Sequence, residues 1–307
     1  MIGVYGKVAS QPDFLRANAG EFSQAGLDLW FQEAVEALRG ESATLPQGPT
    51  AFLLAPDAAP AAFVGAFAPS TDAAGRSFPL VVFAQIPRGD LAERFPTVPS
   101  EHAAFVQAAG AVVAEGASGL DGGAVVARAQ ALAMSAGAPL VSDANLGLGD
   151  ESAQPLVAAL GGASAALGYA LRTFTAACDQ AAKTGPAGRA GVITVDAPAP
   201  TDAVRRLWLE LARRRLRWRE GAPSLLWTEG AAGRLLMTLG QPAPGALSYL
   251  ANPRHRASRF WPLRTDVTAA IDQAMKALTP EQKRRVENPR VSLGELVSSF
   301  GVLSAPA

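Results

Sequence analysis

The sequence predicts an α/β fold: an antiparallel central sheet flanked by helices, with an Ala-rich helical middle region and a C-terminal hairpin. Three observations carry this. Residues 50–86 hold three strand-length runs rich in Phe, Val and Leu, separated only by turn residues, a spacing too short for crossover helices, so the strands are expected to pair antiparallel. From Ser100 alanine dominates and the apolar residues recur at helical rather than alternating spacing. Two later apolar runs, Ser224–Glu229 and Arg234–Gly240, flank Gly230-Ala-Ala-Gly233 and read as a hairpin. The 307 residues are 49% hydrophobic and 18% charged, enough apolar material for a sizeable core and too little charge for a wholly disordered chain.

In order along the chain, residues 2–8 form the first predicted strand. A helix follows from about Ser23, because Leu27, Trp30, Phe31, Val35 and Leu38 make one apolar stripe and Gly40 supplies a stop. Thr50–Ala55, Ala62–Ala68 and Phe78–Ile86 are the three close strands, parted by Pro56-Asp57 and by Pro69 to Ser77. Helices are predicted from Ser100 to about Glu115, from Gly123 to Ser135 and from Ser164 to Lys183. Ser152–Leu171 is free of charged residues and long enough on paper to cross a bilayer, but its glycines and sparse large apolar residues suit a buried Ala-rich helix. Gly191–Asp196 reads as a strand, and Thr201-Asp202 opens a helix with the stripe Val204, Leu207, Trp208 and Leu211. Two short helices are expected near 265–277 and 280–287.

The charges cancel, with 27 basic and 27 acidic residues, so no global field draws the chain to nucleic acid or an acidic membrane. Residues 200–307 nevertheless hold 17 basic and 9 acidic residues. Arg213 to Arg219 and Pro253 to Trp261 there mix arginines with aromatics, as nucleic-acid binding would use. Leu216 and Trp218 alternate with Arg215, Arg217 and Arg219, which reads instead as a half-buried strand with a solvated basic side. One cysteine and two histidines exclude a disulfide framework and a multi-cysteine zinc site, so neither metal nor cofactor is expected. The opening Ile2–Lys7 reads as a strand, not an export signal, and a cytoplasmic protein is expected.

Catalytic templates fail one by one. Gly6-Lys7 lacks the preceding glycine and following hydroxyl of a phosphate loop, and Ala133-Met-Ser135-Ala-Gly137 is only an approach to a hydrolase elbow. Cys178 lies mid-helix among alanines and reads as an inert buried thiol. His102 reads as a helix cap or surface residue and His255 as a loop residue. No catalytic residue is assigned, and a cryptic hydrolase remains the lesser alternative beside nucleic-acid binding.

Two constellations stand out. The first is Gly3-x-Tyr5-Gly6-Lys7 followed by Pro12-Asp13-Phe14; the second is Pro69-Ser70-x-Asp72-x-x-Gly75-Arg76-x-Phe78-Pro79-Leu80. Ser70 and Asp72 have oxygens able to accept from amides two residues on, Gly75 permits a positive φ, and Pro79 suits the entry of a strand. Arg76 can pair with Asp72 across that turn, or with Asp13 if the two loops meet. A surface built on these loops makes Tyr5, Lys7, Asp13, Phe14, Ser70, Asp72 and Arg76 the candidate partner-binding residues.

At these residues the chain resembles the TagF (ImpM-like) family, accessory proteins of bacterial type VI secretion systems. Its members open with Gly-Phe/Tyr-Gly-Lys leading to Gly-Asp-Phe and later carry Pro-Ser-x-Asp-x-x-Gly-Arg-x-Phe-Pro-Leu. The second motif is matched from Pro69 to Leu80; before Asp13-Phe14 this chain has Ala9 and Pro12 where the family has Pro and Gly. Trp227-Thr228-Glu229-Gly230 and the turn after Gly240 resemble the family's late hairpin. The resemblance spans residues 2–250, taken as one TagF-like domain with sub-regions 1–99 and 100–250, and leaves 251–307 as a basic, partly helical extension. It implies a longin- or profilin-like α/β fold. It also implies a non-enzymatic cytoplasmic repressor that acts after translation by binding the forkhead-associated scaffold protein Fha.

Overall fold

The computed structural model describes residues 1–56, 59–134, 146–186, 192–240, 242–252 and 259–302. Among the described residues nine strands form one open sheet: β1 (Ile2–Gly6), β2 (Leu15–Ala17), β3 (Thr50–Leu54), β4 (Ala61–Ala68), β5 (Leu80–Pro87), β6 (Ile193–Pro198), β7 (Ser224–Trp227), β8 (Arg234–Leu239) and β9 (Phe260–Pro262). Their spatial order is β2-β1-β5-β4-β3-β7-β8-β6-β9. Every pairing is antiparallel except β6 with β9. The mixed α/β class and the antiparallel succession of the three close strands therefore hold, and β7 and β8 form the expected hairpin.

The sheet divides two unlike cores because side chains alternate across a strand. On β3, β4 and β5 one face presents Phe52, Phe63, Phe67, Val81 and Phe83, and the other presents Ala51, Leu53, Val64, Ala66, Val82 and Ala84. The aromatic face is covered by the Leu27–Gly40 helix through Leu27, Trp30, Phe31, Val35 and Leu38, the stripe read from its 3.6-residue period. Phe22 stacks on Phe83 at 4.3 Å and meets Phe63 edge-on at 5.6 Å between ring centroids, arrangements that aromatic quadrupoles favour. The small-residue face lets the Ala103–Ala117 helix approach closely: a Cβ on Gly110 would lie 4.0 Å from Ala66 Cβ, in van der Waals contact.

Further along, the Ser164–Thr184 and Asp202–Leu216 helices pack on each other, and Phe174 meets Trp208 at 4.9 Å. Thr201 caps the second of these by accepting the Val204 amide at 3.2 Å. The uncharged stretch from Ser152 is two helices rather than one: Gln154–Ala159 ends before Gly161 and Gly162, whose φ angles of +98° and +86° break the path. No helix among the described residues is long and apolar enough to cross a membrane.

Residues 251–307 contribute β9 at the sheet edge and the helices Thr268–Lys276, Pro280–Glu287 and Leu293–Phe300. The last of these carries the capping box Ser292…Glu295 and buries Leu293, Leu296, Val297 and Phe300. Backbone bonds from Leu293 to Glu151 (2.7 Å) and from Gly294 to Leu148 (2.8 Å) tie it to the middle of the chain. One reading needs correction. Arg213 to Leu216 belong to the Asp202–Leu216 helix, and Arg217 closes it with a left-handed φ of +52°, so no strand forms there.

Candidate functional site

Where β1 ends, Gly6 adopts φ +133° with its Cα pressed on β5, so that a Cβ would sit 2.1 Å from the Pro79 carbonyl oxygen. Only glycine tolerates both conditions. The chain then delivers Lys7 inward, and its Nζ donates to Asp72 Oδ2 at 2.7 Å. Asp72 Oδ1 accepts the amides of Ala74 (3.0 Å) and Arg76 (2.8 Å), as an aspartate-led turn requires. Gly75 takes φ +76° in that turn. Arg76 Nε donates to Asp72 Oδ2 at 2.7 Å while its Nη2 donates to the Pro12 carbonyl at 2.5 Å. The Ala73 amide donates to the Gln11 carbonyl at 3.1 Å. Of the two pairings open to Arg76, the one with Asp72 forms; the two loops also meet, but Arg76 spans them through the Pro12 carbonyl, not the Asp13 carboxylate.

Burial alone would push the Asp72 carboxyl up. The hydrogen bonds from Lys7 and from the backbone and side chain of Arg76, with the Arg76 charge, outweigh this and hold it well below the carboxylate range. Above it, Tyr5 stacks on Phe14 at 5.4 Å, and Phe78 meets Tyr5 and Phe14 edge-on at 5.8 and 4.9 Å. Lys7 Nζ lies 5.2 Å from the Phe14 ring centre, and the Arg16 guanidinium lies 5.7 Å from Phe14 and 5.5 Å from Tyr5, within cation–π range.

The seven sequence candidates therefore gather at one edge of the sheet but at different depths. Tyr5, Lys7, Ser70 and Asp72 are buried and fix the loops from within; Phe14 is half-buried; Asp13 and Arg76 face solvent. Ser70 departs from its expected role: its carbonyl accepts the Phe78 amide at 3.0 Å, whereas its hydroxyl is buried without a partner among the described residues. Gln11 and Arg16 belong to the same patch and were not singled out in the sequence. Their signal, a short strand with Arg16 facing outward beside Phe14, is too brief for alternation to register.

A second polar cluster surrounds the late motif. The Arg205 guanidinium lies 5.3 Å from the Trp227 ring and donates to Glu229 Oε1 (2.8 Å) and Asp202 Oδ1 (2.6 Å); Trp227 Nε1 also donates to Glu229 Oε1 (2.9 Å). A groove of about 830 Å³ lies over this cluster, between the Ala103–Ala117 helix and the 46–49 loop.

The other arginines of this helix are likewise engaged. Arg213 and Arg214 donate to the buried Glu210 at 2.7 and 2.6 Å, and Arg215 pairs with Asp179. Arg213 and Arg214 thus bond within their own helix, and Arg215 ties it to the Ser164–Thr184 helix.

His102 is buried rather than at the surface, and its side chain caps nothing. Burial lowers its proton affinity, against the pull of Glu101 and with the push of Arg94. Cys178 is fully buried, and burial with the Asp179 charge pushes its thiol far up, against the nearby Arg215. His255 and the Ser135 region lie outside the described residues.

The chain is a mixed α/β protein with a two-motif loop junction at the edge of its sheet. Residues 3–132 match the family model of the TagF N-terminal domain, type VI secretion system-associated, a stretch that takes in both motifs of the junction. This associates the chain with type VI secretion. Among solved structures, the crystal structure of PA0076 from Pseudomonas aeruginosa PAO1 is 19% identical, with 84% of this chain and 96% of that one covered and a TM-score of 0.48. No curated protein matches.

Proposed function

We propose that this protein is a non-enzymatic cytoplasmic regulator of a type VI secretion system, holding apparatus assembly off after translation by binding the forkhead-associated scaffold protein Fha. The observation that carries this reading is the Asp72-centred junction. It locks two loops distant in sequence into one surface that presents Asp13, Phe14, Arg16 and Arg76 beside the short edge strand β2. Edge strands offer unpaired backbone groups, and a preordered aromatic–arginine patch loses little entropy on docking.

The ionisable groups of the junction support docking over catalysis, because Lys7 and Arg76 both bond the single Asp72 carboxylate and leave the cluster with one net positive charge. No poised base or nucleophile is left in that cluster.

The test is direct association of the purified chain with the forkhead-associated protein, measured by calorimetry and by co-elution. Truncating Phe14 to Ala should weaken the complex by about tenfold or more, as loss of an aromatic anchor does, with the melting temperature followed in parallel. Failure of the wild-type chain to form the complex, or turnover of generic ester or phosphate substrates, would sink the proposal.

A further inference from the structure

Beside the junction lies a cavity of about 620 Å³, set between the end of the Leu27–Gly40 helix, the chain just after it and the Pro69–Pro79 loop. Leu38, Leu45 and Phe78 form an apolar wall. Arg39 is the single charged residue of the lining. No ion pair of Arg39 exists among the described residues; its Nη2 donates to the Ser77 carbonyl at 2.7 Å, which leaves most of a five-donor guanidinium for another acceptor. Ser70, buried and with its hydroxyl unpartnered among the described residues, belongs to the same wall. Thr44 and Thr71 add exposed hydroxyls.

We propose that this cavity receives an acidic side chain from the docking segment of the partner protein, paired to Arg39, with an apolar neighbour of that side chain seated against Leu38, Leu45 and Phe78. The inference rests on the docking role above and names the chemistry that would be recognised.

Three features converge on it. The lining carries a cation and no carboxylate, so a basic segment would be repelled and a neutral one would leave the guanidinium without its counter-charge. The apolar wall lowers the local dielectric and strengthens an Arg–carboxylate pair relative to one in open water. The cavity's loop wall is also the loop that Asp72 holds, two residues from Ser70, so the junction fixes the width of the cleft.

The experiment uses the full chain and fluorescein-labelled probes Gly-Ser-Leu-X-Leu-Ser-Gly, with X Glu, Gln or Lys, followed by anisotropy. The Glu probe is expected to bind about tenfold or more tighter than the Gln and Lys probes, the scale of one charge-assisted contact. Arg39→Glu should abolish or invert that order with only a small fall in melting temperature, since Arg39 is exposed and gives up one hydrogen bond, to the Ser77 carbonyl. Thr44→Glu is a second variant that places a carboxylate at the cavity while leaving the helix intact. Equal affinity for the three probes, binding of none of them, or an order unchanged in both variants would overturn the proposal. Capture of the forkhead-associated protein by wild type and Arg39→Glu alike removes the cavity's role and leaves the docking reading standing. Absence of capture by wild type removes the docking reading itself.

Discussion

Lys7 and Asp72, 65 residues apart, meet as a buried ion pair with 2.7 Å between Nζ and Oδ2. The contact exists because β1 lies antiparallel to β5, with Tyr5 opposite Val81, which brings the exit of one strand to the loop entering the other. A buried carboxylate with its cation removed is costly, so the pair acts as a latch whose two halves fail together.

The latch should be acid-labile in a defined sense. The folded state holds the Asp72 carboxyl below its ordinary 3.8, so the unfolded chain binds the proton more readily. The contribution is then full above the unfolded value and is lost as pH falls through it towards the depressed folded one. Asp72→Asn should lower the urea midpoint at pH 7, and the gap to wild type should narrow below pH of about 4. Parallel midpoints down to strongly acidic pH would count against this.

Gly6 and Gly75 both have positive φ, yet they should respond differently to alanine. At Gly75, with φ +76° and no atom within 4 Å of an added Cβ, the left-handed conformation alone costs about 1–2 kcal/mol. At Gly6 the strain is joined by a Cβ 2.1 Å from a backbone oxygen, and the two together should cost about 3 kcal/mol or more. Urea denaturation of both variants checks the ranking, and equal losses would contradict it.

How much of this was legible before the fold is instructive. The Leu27–Leu38 stripe was readable because it repeats its period several times, and the three close strands because each is a continuous apolar run, buried on both faces and bounded by turn residues. The turn from Asp72 to Arg76 was readable because its chemistry is local. Lys7 against Asp72 was not, since nothing in either segment encodes which strands become neighbours. Strands β2 and β9 are three residues each, too short for any period. Arg215 to Arg219 misled because five alternating residues at a helix end mimic a strand; the helix closes at Arg217 and Arg215 turns to Asp179. The helix after Ser292 did carry a signal, Ser292-x-x-Glu295 before an apolar run.

His102 should give the protein a second, milder pH dependence. It is buried with Nδ1 unpartnered among the described residues, and its proton affinity is lowered chiefly by burial. The unfolded chain therefore takes up a proton first as pH drops below 6.5. Stability is full above that value and declines as pH falls through it towards the lowered folded value. His102→Gln should flatten the stability profile over that range while leaving the acid limb due to Asp72 in place. A slope that persists in the variant would assign it to other groups.

Glu210 should matter more than its place in a basic helix suggests. Its carboxylate is fully buried and accepts from Arg213 Nε and Nη2 at 2.8 and 2.7 Å and from Arg214 Nε at 2.6 Å. The Glu210 hydrogen bonds and charge raise the proton affinity of Arg213, against its partial burial. Glu210→Ala removes the acceptor that Arg213 and Arg214 share and should cost about 2 kcal/mol, less than a fully buried pair would, because the Arg213 side chain is 38% exposed and reaches water. Glu210→Gln keeps an acceptor and should cost less. Removing Arg213 as well should recover part of the loss, because the uncompensated charge goes with it. Urea midpoints for the two single variants and the pair decide this. If Arg213→Ala instead leaves stability unchanged and abolishes a salt-sensitive affinity for random duplex DNA, the arginines act outward and the packing role fails.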